Sequence, residues 1–133
     1  MITLEKAQTM SRAALSKAKE LGITISVEIV DSNGNTLVLE RMEKALSISP
    51  KFAHAKAYTS GTLGLATSDM AAYAVPGKPY YGMDSIFGGE LTTIAGGLPI
   101  KEDGNLIGGI GVGGSSDVAQ DVECAQAGVE AFN

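Results

Sequence analysis

Tryptophan is absent from this chain, and cysteine and histidine occur once each. Four tyrosines and three phenylalanines are the only aromatics. A single cysteine, Cys124, excludes an internal disulfide and any cysteine-rich zinc site. A single histidine, His54, excludes a multi-histidine metal centre. No apolar run reaches membrane-spanning length, so no membrane partner is expected. The N-terminus has no basic segment followed by an apolar stretch, and the expected compartment is the cytoplasm. Basic residues stop at Lys101, whereas Glu102, Asp103, Asp117, Asp121, Glu123 and Glu130 follow. With a net charge of −5, that acidic end repels phosphate and argues against a nucleic-acid partner.

What the chain does have is glycine, concentrated in its second half. Twelve of the 17 glycines lie between Gly77 and Gly114. Glycine packs no side chain and loses the most backbone entropy on folding, so such a run needs a compensating reason. The candidates are turns with positive φ, or backbone that a helix, a subunit or a flat ligand must approach closely. A hydrophobic fraction of 44% and a charged fraction of 19% describe an ordinary globular chain. Residues 1–133 are read as a single domain with a mostly aliphatic core.

Residues Thr3 to Leu21 read as a helix. Leu4, Ala7, Met10, Ala14, Ala18 and Leu21 form one apolar stripe, with Thr3 as cap and Gly22 as stop. Ile23, Ile25, Val27 and Ile29 alternate with polar residues and predict a strand. Asp31-Ser32-Asn33-Gly34-Asn35 turns it into a return strand over Thr36–Met42, whose parity puts Arg41 on the covered side. Ser49-Pro50 predicts the start of a helix ending near Ser60, before Gly61, and Thr67 or Ser68 to Tyr73 a second, short one. Ala74 to Asp84 reads as a loop. Three strands are then expected: Glu90–Ala95, Leu98–Lys101 and Leu106–Val112, the last two joined by Glu102-Asp103-Gly104-Asn105. Ser115 or Ser116 caps a final helix striped by Val118, Val122, Ala125, Val129 and Phe132. The order α-β-β-α-α-β-β-β-α predicts an α/β protein of the α+β type. It has one antiparallel sheet of about five strands, flanked by helices.

The residues leave several chemistries open. Gly108 to Gly114 lacks the Gly-Lys-Ser/Thr ending of a phosphate loop. Gly109-x-Gly111-x-x-Gly114 matches the dinucleotide pattern by letter only, since no strand follows the last helix. His54 is either a solvated helix residue or an axial ligand or proton carrier, with Tyr58 one turn later on the same face. Arg41 and Lys56 either hold a carboxylate at the sheet–helix junction or pair with nearby acids. Met70, Tyr73, Tyr80, Tyr81 and Met83 would line a flat apolar ligand or a subunit interface. Cys124 reads as a packing residue, and no catalytic constellation stands out.

Several segments carry a resemblance. Val30-Asp31-Ser32-Asn33-Gly34-Asn35-Thr36-Leu37-Val38 leading to Arg41-Met42 resembles a family of small haem-binding, haem-degrading-type proteins. That family includes HbpS, GlcG and the C-terminal domain of PduO. Ala53 to Thr59, with Lys56-Ala57, resembles its middle helix. Gly96-Gly97-Leu98-Pro99-Ile100 resembles its Gly-Gly-x-Pro-Ile turn, and Gly108–Gly114 and Asp117–Ala131 its last strand and acidic final helix. The resemblance implies a homo-oligomer and a haem-binding, non-catalytic domain. His54 is then the first candidate iron ligand, followed by a tyrosine or methionine, since residues 3 to 21 lack the histidine some relatives use. Tyr58 is a second polar contact, Arg41 and Lys56 are propionate partners, and Gly96 and Gly97 shape the turn near the pocket or interface. Two alternatives stand beside it. One is an enzyme or accessory factor acting on a small carboxylate or corrinoid in glycolate or diol metabolism. The other is a structural oligomer without ligand, packed through its glycine faces.

Overall fold

The computed structural model describes residues Met1–Asn133. Helix α1 (Leu4–Leu21) begins where the Thr3 hydroxyl accepts from the Lys6 N–H, and ends at left-handed Gly22. Both are the expected caps, and of the expected stripe Ala7, Met10, Ala14 and Ala18 are buried, whereas Leu4 is exposed and Leu21 half-buried at the helix ends. Strands β1 (Ser26–Asp31) and β2 (Thr36–Arg41) form the predicted hairpin. Helix α2 (Ser49–Leu63) and the short α3 (Thr67–Ala74) follow. Two single 3-10 turns, Met83–Ser85 and Phe87–Gly89, lead to the hairpin of β3 (Gly97–Glu102) and β4 (Asn105–Gly113). Helix α4 (Val118–Phe132) closes the chain, capped by the Asp117 carboxylate at the Ala119 N–H rather than by Ser115 or Ser116.

The four strands form one antiparallel sheet in the order β2-β1-β4-β3. Alternation along the strands gives it two unlike faces. Val27, Ile29, Ile100, Ile110 and Val112 meet Met10, Ala14 and Ala18 of α1 and Cys124, Ala125 and Phe132 of α4, forming the main core. The opposite face carries Gly109, Gly111 and Gly113, and α2 lies directly on it. A side chain on Gly113 would meet Ser49 and Ala53, one on Gly111 would meet Ala53 and Ala57, and one on Gly109 would meet Ala57 and Gly61. Four helical residues advance about 6 Å and two strand residues about 6.6 Å. The two small-residue ladders therefore stay in step for three rungs. The bare glycine face is thus covered by the chain's own helix, which fills the surface through which a ligand-free oligomer would have packed.

Two expectations need correction. Glu90–Ala95 is not a strand, so the sheet has four strands. Its Thr92 N–H is donated to the Thr59 hydroxyl of α2, and the segment lies on that helix instead of joining the sheet edge. Gly61 does not end α2, which runs on to left-handed Gly64. Gly61 is instead the place where helix backbone touches Val30 and Gly109.

Candidate functional site

His54 projects from the middle of α2 towards β1. Its Nδ1 lies 2.6 Å from Oε2 of Glu28, and its Nε2 lies 3.0 Å from Oε1 of Glu90. Glu28 is buried because β1 is a central strand beneath α2, and its other oxygen accepts from the Thr36 hydroxyl across the hairpin. Glu90 arrives from the connection after the second 3-10 turn and is far more exposed. Two carboxylates both accept from one ring, and only an imidazolium has two N–H donors. Burial works against that charge, but the hydrogen bonds and charges of Glu90 and Glu28 outweigh it and hold the His54 pKa above its ordinary 6.5. Burial also raises the Glu28 carboxyl, with the His54 contact opposing. We place the shared proton on the imidazole, where both contacts use it.

A cleft of about 400 Å³ opens beside this ring, lined by Glu28, Leu39, Lys51, His54, Gly89 and Glu90 among others. Lys51 stands one turn before His54, exposed and with no acid as partner. A second cleft, about 320 Å³, is lined only by apolar and aromatic residues, among them Leu63, Met70, Tyr73, Tyr80, Met83 and Phe87. Four of the five residues expected to line an apolar site are thus there; Tyr81 is exposed nearby. Tyr58 joins the two regions. Its ring centroid is 5.8 Å from that of His54, and it also packs against the cluster of Met70, Met83 and Leu91. Gly34 has to be glycine because the Tyr58 ring sits against its Cα.

The other expected site residues lie elsewhere. Lys56, two positions from His54, points to the other flank of α2 and is buried. Its Nζ donates to the Val112 carbonyl at 2.8 Å and to Oδ2 of Asp121 at 3.2 Å. Burial lowers the Lys56 pKa and raises that of Asp121, and each charge offsets part of the other's cost. Gly96 and Gly97 pack against Lys56, where a side chain on either would collide with it. They shape the start of β3 rather than the His54 cleft. Arg41 is exposed at the end of β2, not covered, because β2 is an edge strand. It donates to the Ala45 carbonyl at 2.7 Å and lines a third cleft with Lys19 and Lys44. Arg41, Lys56 and His54 therefore do not converge. Cys124 is buried in the core, its thiol pushed up to about 11 by burial, as a packing residue requires.

Sequence reasoning missed Glu28, Glu90 and Lys51. Glu28 carried a signal, an acid in the middle of a strand with Ile29 and Val30 beside it. Glu90 carried none, because only the path of the connection brings it to His54.

No helix is long and apolar enough to cross a membrane. Residues 2–130 match the family model described as haem degrading protein HbpS-like. The chain is 38% identical, over 93% of its length, to the corrinoid adenosyltransferase PduO of Salmonella typhimurium, but covers only 37% of that protein. The crystal structure of Klebsiella pneumoniae protein ORFY matches with a TM-score of 0.94 at 33% identity, over 98% of this chain and 90% of that one. The crystal structure of a PduOC:heme complex matches with a TM-score of 0.93 at 35% identity, over 99% of this chain and 95% of that one.

Proposed function

This chain belongs to the HbpS-like family, and from that premise we propose that it binds haem beside His54 as a non-catalytic, cytoplasmic homo-oligomer. One observation carries the reading: a histidine held by a buried carboxylate lines a polar cleft, and its second partner, Glu90, is followed directly by Leu91 in the wall of a wholly apolar one. The Glu28 contact ties Nδ1 to a buried carboxylate, so Nε2, held only by the more exposed Glu90, is the nitrogen a ligand would take. Bound haem supplies an iron centre that accepts a nitrogen lone pair. The residues fit such a group. His54 would hold the metal, Lys51 would hold a propionate in place of Lys56, and the aromatic cleft would take the ring edge. Nε2 is hydrogen-bonded to Glu90 and carries the second imidazolium proton, so binding would give up that contact and release that proton, freeing the Nε2 lone pair. The solved haem complex of a relative of near full-length similarity supports the choice of ligand.

The test is a haemin titration followed by absorbance, beside His54→Ala. A saturable Soret shift at about one haem per chain or per dimer, lost in the variant, is the expected result. A shift that survives would move the ligand to Tyr58, Tyr73 or Met70. No saturable shift would remove haem as the function.

A second reading draws on a different observation. Lys19, Arg41 and Lys44 share one cleft of about 380 Å³ with a single acid, Glu43, and that excess of positive charge suits a small carboxylate. In that case the chain is an accessory factor for small-acid or corrinoid metabolism. Carboxylate affinity lost in Arg41→Ala, with no haemin binding by either protein, would favour it.

A further inference from the structure

The connection from Gly82 to Leu91 separates the two clefts around His54. Met83, Ile86, Phe87 and Leu91 face the apolar cleft, while Gly88, Gly89 and Glu90 face the polar one. One short stretch of chain is therefore a wall of both. Its backbone hydrogen bonds are all local: Met83 N–H to Tyr80, Ser85 to Gly82, Ile86 to Met83 and Gly89 to Ile86. None reaches the sheet or α2 until Thr92 N–H meets the Thr59 hydroxyl. Three consecutive residues, Phe87, Gly88 and Gly89, have positive φ, at 52°, 68° and 82°. Phe87 adopts that conformation although it carries a bulky side chain, and the side chain is 70% exposed. Against the body the stretch is held by the burial of Met83 and Leu91 beside Met70, and by one polar contact, Glu90 to His54. A segment with few buried contacts and no external backbone bonds opens at low free-energy cost.

We infer that Gly82–Leu91 is a strap latched by the Glu90–His54 contact, and that the ligand site is the single trough formed when the strap lifts. The trough would join an apolar, aromatic wall to His54 and Lys51. That combination takes a flat apolar ring bearing carboxylate groups, and neither cleft supplies it alone. Glu90 is then a positioning residue that competes with the ligand for Nε2, while Glu28 keeps the ring oriented in both states. The inference rests on the reading of His54 as the ligand-facing group.

The test compares the wild-type chain with Glu90→Gln, which removes the latch charge, and Glu90→Ala, which removes the contact. Two readouts are taken: amide hydrogen exchange across residues 82–91 without ligand, and haemin affinity. Exchange in the strap is expected to quicken about three- to tenfold in both variants, with α1 and β4 unchanged. Haemin affinity is expected to rise by a similar factor of about three to ten. Unchanged strap exchange in Glu90→Ala overturns the latch. A loss of haemin affinity in both variants also overturns it, because Glu90 would then be a ligand contact. If no protein in the set binds haemin, the haem reading fails, and the exchange data still decide whether Glu90 latches the strap.

Discussion

At the residue scale, the centre of this protein is one ring held by two acids. His54 binds its proton more tightly in the folded chain than in the unfolded one, through Glu90 and Glu28. Its contribution to stability is therefore complete below pH 6.5, its ordinary pKa, and is lost as pH rises through the raised folded value. The raised Glu28 carboxyl acts in the same direction, since it too holds a proton better when folded. We expect Glu28→Gln to lower the His54 pKa towards 6.5, read by NMR titration of the ring protons. A His54 pKa unchanged by that substitution would show that Glu28 does not orient the ring. His54 was legible as a candidate because it is the sole histidine. Its partners were not, since residues 28 and 90 meet residue 54 only through the strand order and the path of the strap. Lys56 was legible as an unusual cation but not by its role. Only the lie of α2 across β4, which brings Lys56 within reach of Asp121 at the start of α4, shows that its charge is spent there.

At the element scale, the glycine-rich strand β4 and the alanine-rich face of α2 explain each other. The alternation along Leu106–Gly113 separates an apolar face from a bare one, and that much is in the sequence. That the bare face receives Ala53, Ala57 and Gly61 is decided by the right pitch of a helix lying along the strand. Gly111→Ala would push its methyl group into the Ala53 carbonyl and the Ala57 backbone, neither of which can rotate away. The expected cost is about 3 kcal/mol, at the upper end for overpacking, read as a lower urea midpoint. An unchanged midpoint would mean that α2 does not rest on this face. The expected strand over Glu90–Ala95 failed for a related reason. Leu91, Thr92, Thr93 and Ile94 have strand-like residue types, but a strand needs an edge, and this stretch is tied to Thr59 of α2 instead.

At the scale of the whole molecule, several large apolar side chains stand exposed. Leu46, Ile48, Phe52, Ile94 and Val118 line two adjoining clefts, one of which borders the strap through Asp84, Gly89 and Leu91. Surfaces of that kind mark contacts with other molecules. Sedimentation is expected to give a mass that is a multiple of the 13.6 kDa chain, and a 13.6 kDa species at micromolar concentration would remove the oligomer from the proposed function. The sequence alone determined the caps of α1, both hairpins, the two-faced last strand and the α+β class. Each of these follows from local periodicity or turn chemistry within a few residues. Only the tertiary structure decided which residues share a site. It set Glu28, His54 and Glu90 together and sent Lys56 and Arg41 elsewhere. The reason is that long-range neighbours depend on how helices and connections lie over the sheet, and no local pattern of residues encodes that placement.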